Sequence, residues 1–179
     1  MTTKKTTYCL PILLFMLVLI SSCKKDEGVS GNYAASYSAW KSFKSSVNNS
    51  YQYAVITDSW TGHATETILT VKNGKVVQRA YVGKVIDGQF GTVKITEQWT
   101  EDASTLNVHQ QQGAETITLD EVYTKAKSQW LINSKNTETY FETNNQGMIS
   151  TAGYTDKNCM DDCFTGIKIS FIRKTTTDL

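Results

Sequence analysis

The most distinctive run of reactive side chains is Cys159-Met160-Asp161-Asp162-Cys163, two thiols four positions apart around a pair of carboxylates. Outside the cytoplasm such a pair is expected to close a local disulfide, contributing roughly 2 kcal/mol by loop entropy. Zinc would need two more ligands, and the only histidines, His63 and His109, are isolated in the sequence. The spacing also differs from the Cys-x-x-Cys of redox-active pairs. Asp156, Asp161 and Asp162 supply the hard oxygens that calcium takes, but without EF-hand spacing, so a solvated acidic loop is the first expectation and calcium the second.

Other chemical patterns are weaker. Ser38-Ala39-Trp40-Lys41 has the Ser-x-x-Lys form of penicillin-recognising acylases, yet no Lys-Thr-Gly follows it on a strand. No Gly-x-Ser-x-Gly elbow frames a serine, and no glycine-rich loop is present to cradle a phosphate. Glu97 falls on an apolar strand face and is the carboxylate expected to point inward, where burial would raise its pKa. Trp60, beside Asp58 and Gly62 in an expected hairpin loop, is the tryptophan expected to be exposed. With His63 it forms the candidate binding loop. No catalytic set, metal or cofactor is implied.

These residues follow an N-terminal segment of a different kind. Lys4 and Lys5 precede an apolar stretch over residues 9–20, which is interrupted by Pro11 and ends at Ser21, Ser22 and the charged Lys24 and Lys25. That is the layout of a secretory signal over residues 1–22, too short for the roughly 20 apolar residues of a permanent span. Ile20-Ser21-Ser22-Cys23 resembles the lipobox of bacterial lipoproteins, in which the cysteine is acylated and becomes the mature N-terminus. The resemblance implies a lipid on Cys23 and a membrane partner through that lipid alone. Lys24-Lys25-Asp26-Glu27 is similar to the surface-export signal of one group of Gram-negative lipoproteins, implying an outer-membrane protein that faces outward. Read as a charged tether over residues 23–32, the same string leaves the periplasmic face open.

Loss of Lys4 and Lys5 takes the formal charge of the 179-residue chain from +1 to slightly negative, which argues against nucleic acid as a partner. The single proline is Pro11, so turns after the signal must rely on Gly, Asn and Asp. What remains is long enough for one core, expected over residues 33–175.

The elements that would position the candidate residues can be read from periodicity. Tyr37, Trp40, Phe43 and Val47 share a helical face after Asn32, the expected N-cap, in a helix ending near Asn48 and Asn49. Tyr51, Tyr53 and Val55, then Thr67, Leu69 and Val71, alternate as strands. Asn73-Gly74 signals a tight hairpin into residues 75–83, where Val76, Ala80 and Val82 are expected on one side and Val77 and Tyr81 on the other. A fourth strand over residues 92–100 puts Val93, Ile95 and Trp99 on the face of Glu97. Thr118-Leu119-Asp120-Glu121 fits a capping box opening a helix to about Leu131, with Leu119, Val122, Tyr123, Ala126 and Trp130 buried. Three strands follow over residues 137–143, 148–154 and 166–173. Asn144, Asn145 and Gly147 turn between the first two, and Ile167, Ile169 and Phe171 share a face of the last. The expectation is an α+β domain: helix, four strands, helix, three strands, with about seven strands in a largely antiparallel sheet.

The strings Tyr51-Gln52-Tyr53, Val71-Lys72-Asn73-Gly74-Lys75-Val76-Val77 and Thr118-Leu119-Asp120-Glu121-Val122-Tyr123, with Asp156 and Asp161-Asp162 after the Gly147 hairpin, resemble a family of small bacterial lipoproteins whose domain has no assigned function. The resemblance covers roughly residues 35–173. It departs at Gly147-Met148-Ile149, where the family often has Gly-Tyr-Pro. It implies the fold and the envelope location but no activity. The functional expectation is therefore a non-catalytic binding module for a protein or glycan. An inhibitor of an extracellular enzyme is the alternative, and a hydrolase using His63 or His109 ranks behind it.

Overall fold

The computed structural model describes residues 29–132, 134–161 and 163–175. The signal segment, Cys23 and the tether up to Gly28 lie outside the described residues. Helix α1 spans Val29–Ser46, starting three residues before Asn32. Strands β1 (Tyr51–Asp58), β2 (His63–Lys72), β3 (Lys75–Ile86) and β4 (Val93–Asp102) follow. Helix α2 (Leu119–Lys125) precedes β5 (Thr137–Glu142), β6 (Thr151–Asp156) and β7 (Thr165–Lys174). The strands form one seven-stranded antiparallel sheet in the order β4-β3-β2-β1-β7-β6-β5. The fold is mixed α+β. Among the described residues, no helix is long and apolar enough to cross a membrane.

Local signals explain several boundaries. Asn73 and Gly74 both have positive φ, 50° and 76°, so the hairpin turns with the hand that suits twisted strands. Thr118 accepts from the Glu121 amide while the Glu121 carboxylate accepts from the Thr118 amide, completing the capping box. The second helix does not continue as an α-helix to Leu131. Residues Ala126–Trp130 form a π-helical turn closed by Leu131 N–H donating to the Ala126 carbonyl at 2.9 Å.

Both helices pack on one face of the sheet, with Trp40, Tyr51, Tyr53, Leu69, Leu119, Val122, Tyr123 and Ile149 fully buried between them and the strands. Trp40 meets Tyr51 edge to face at 4.9 Å. It also donates from its indole to Asp120. The Tyr123 hydroxyl donates to the Ser36 carbonyl and accepts from the Ile149 amide, joining α1 to the segment just before β6.

Bulges correct three of the expected faces. Between β2 and β3 the register shifts after Thr70, so Val76 stays with the core while Ala80 and Val82 turn to the opposite side and Arg79 and Tyr81 become buried. Between β3 and β4 the pairing steps from Gly83–Glu97 to Lys84–Ile95. The extra residue, Thr96, sends Val93 and Ile95 away from the Trp99 face, and both are exposed. In β7 the register against β1 passes over Ser170, which puts Ile172 in the core where Phe171 was expected.

Candidate functional site

Antiparallel pairing brings three connections to one end of the sheet: residues 59–62 after β1, 87–92 after β3 and 157–164 after β6. Their exposed large side chains include Trp60 (78% exposed), Phe90 and Met160. Ile86 and Val93 flank the second connection and are also exposed. Clustered apolar tips on a sheet end are the kind of feature that marks an interaction surface.

The first and third connections are joined. Trp60 Nε1 donates to Asp161 Oδ1 at 3.1 Å, across 101 positions of sequence. Asp161 itself lies inside the Cys159–Cys163 disulfide, whose Cα atoms are 6.2 Å apart. The candidate loop and the acidic cysteine loop are thus parts of one surface, a juxtaposition with no sequence signal. His63 is exposed at the start of β2 opposite Val85. Asp162 lies outside the described residues. Among the described residues, no three His, Cys, Asp or Glu side chains gather as a metal centre.

Below this contact is a cleft of about 460 Å³ lined by Ile56, Asp58, Thr155, Asp161, Phe164 and Lys168, among others. Lys168 Nζ pairs with Asp58 Oδ1 at 2.8 Å and lies 5.6 Å from the centre of the Phe164 ring. The Phe164 ring occupies the space where a side chain on Gly153 would be, since a Cβ there would come within 2.4 Å of it. Tyr140 stands 6.4 Å beyond Phe164 and accepts from the Thr155 hydroxyl. The cleft therefore has an aromatic wall, a satisfied ion pair and two threonines, Thr57 and Thr155.

The inward carboxylate is Glu101, not Glu97. Glu97 is exposed and accepts from Gln112. Glu101, four residues later on the same side of β4, is buried against Arg79 of β3. Its other partners are the amides of Asn107 and His109 and the His109 ring, whose Nδ1 is 3.1 Å away. Burial raises the Glu101 pKa, but the Arg79 guanidinium, those two amides and the His109 ring outweigh it and lower the value to about 2. The His109 ring stacks on Trp99 at 4.2 Å. Glu101 and His109 are thus within hydrogen-bond reach of each other. Among the described residues, no hydroxyl is bonded to the His109 ring, and neither histidine lines the cleft.

Compared with protein-family models, with curated proteins and with solved structures, the chain matches none of them.

Proposed function

We propose that the chain is a lipid-anchored envelope protein, held at the outer membrane through Cys23, whose domain is a non-catalytic binding module recognising its partner at the three-connection end of the sheet. The observation that carries the binding part is the Trp60–Asp161 contact. It holds a large aromatic side chain in place at a loop tip while leaving 78% of it open to solvent. A rigid exposed tryptophan loses little side-chain entropy when a partner covers it, which is why such residues dominate binding energetics.

The His109–Glu101 pair supports a structural role for that histidine, because both Glu101 oxygens are taken up by Arg79 and by loop amides. A second reading, inhibition of an extracellular enzyme, is favoured by the same exposed Trp60 if its loop enters a partner's active site.

The anchor is tested by Cys23→Ser with membrane fractionation and mass measurement of the mature N-terminus. Wild-type protein is expected in the outer-membrane fraction with an acylated Cys23, and the variant in the soluble fraction. An unacylated wild-type N-terminus would remove the localisation half of the proposal.

A further inference from the structure

We infer that the cleft beneath Trp60 binds a neutral saccharide, a ligand class that rests on reading the three-connection end as the recognition face. Two features of a sugar must be met, its apolar C–H faces and its ring of hydroxyls. The Phe164 ring, set against Gly153, and the side chain of Ile56 supply apolar walls, and the exposed Trp60 indole, bonded to the lining residue Asp161, adds an aromatic surface beside them. The hydroxyls meet Asp161, Asp58 and Thr155, which accept or donate around the same space. Small-molecule sites commonly occupy about 300–1,000 Å³ and combine apolar walls with a few placed polar groups, and this cleft of about 460 Å³ is of that kind.

Charge decides between neutral and ionic ligands. Lys168 is the cation lining the cleft, and it is already paired with Asp58. An anionic ligand would have to break that pair and approach the Asp161 carboxylate, which repels it. A cationic ligand would compete with Lys168 for both Asp58 and the Phe164 ring. A neutral polyol can accept from Lys168 and donate to either aspartate without disrupting the pair. The fixed Trp60–Asp161 contact leaves the second Asp161 oxygen for such a donor.

The test is calorimetric titration of the full-length protein, purified in detergent, with neutral gluco-, galacto-, manno- and xylo-oligosaccharides and with uronate and sulfated oligosaccharides of equal length. Binding to at least one neutral series is expected, weakened about tenfold by Trp60→Ala and by Asp161→Asn and unchanged by Lys41→Ala on α1. Circular dichroism and thiol counting confirm that each variant is folded and oxidised. Preference for the acidic sugars would overturn the ligand class. Neutral binding indifferent to Trp60, Asp161 and Phe164→Leu would overturn the site. If no saccharide binds while a photocrosslinker at position 60 still captures a defined protein partner in cells, the saccharide inference fails and the recognition face stands. If neither occurs, both fail.

Discussion

Arg79 and Glu101 are register partners on β3 and β4, and the guanidinium donates from Nε and from its second terminal nitrogen to the two carboxylate oxygens, each at 2.9 Å. The pair is 3% and 1% exposed. Its remaining capacity goes to residues 103–117. Arg79 donates to the carbonyls of His109 and Ala114, and Glu101 accepts from the amides of Asn107 and His109. The Ala114 amide in turn donates to Thr67. This segment, without helix or strand, covers the β2–β4 part of the sheet beside the helices. The ion pair is what pins it there.

Breaking that pin from one side leaves a buried charge unpaired, which destabilises proteins by about 3–5 kcal/mol. Arg79→Met is therefore expected to lower the free energy of unfolding by an amount in that range, read from the urea midpoint and slope. Hydrogen exchange in residues 103–117 should accelerate before that of β1 and β7. Uniform acceleration across the sheet would mean that the loop and the sheet open together.

Glu101 also sets an acid dependence. Its folded pKa of about 2 lies below the ordinary 4.5, so the unfolded state takes up a proton first as the pH falls. The stability that Glu101 contributes is complete above about pH 4.5 and is lost as the pH drops toward 2. Denaturation series over that window should show a steep loss for the wild type. Glu101→Gln should start less stable and show a shallower slope.

Tyr51 tests a different kind of buried bond. Its hydroxyl accepts from the Leu119 amide at 3.0 Å, satisfying one of the free N–H groups at the start of α2. Tyr51→Phe leaves that amide without a partner in a buried site and is expected to cost about 1–3 kcal/mol, read from thermal or urea unfolding. Burial raises the pKa values of Tyr51, Tyr53 and Tyr123. Their contribution is therefore complete below the ordinary phenol pKa of 10.0 and is lost above it. Tyrosinate absorbance from these rings should appear with alkaline unfolding rather than ahead of it.

Gly153→Ala addresses the cleft wall. The added methyl would lie 2.4 Å from the Phe164 ring and 2.5 Å from the Thr165 carbonyl, so the ring or the start of β7 must move. Overpacking of this kind costs typically about 1–3 kcal/mol. The lower melting temperature should be accompanied by chemical-shift changes at Phe164, Lys168 and Tyr140 while α1 and α2 remain unperturbed.

The sequence was informative where the determinants are local. The Asn73-Gly74 turn, the Thr118–Glu121 capping box and the Tyr51/Tyr53 and Leu69/Val71 alternations all depend on neighbours within a few residues, and each appears in the structure. Faces beyond a bulge were not legible, because an unpaired Thr96 or Ser170 is decided by the partner strand. The inward carboxylate shows the same division. Glu97 and Glu101 share a side of β4, and only Arg79 across the ladder and the covering segment determine which is buried. The disulfide between Cys159 and Cys163 was readable from spacing, but its attachment to Trp60 through Asp161 spans most of the domain and has no local signal.

Recognition of a partner at the three-connection end of the sheet can be read directly by photocrosslinking in intact cells. A photoreactive residue would replace Trp60 or Met160 in one set of proteins and Lys41 or Ser45 on α1 in another. Discrete adducts are expected from positions 60 and 160 and none from positions 41 and 45. Adducts from α1 with a silent loop end would contradict it.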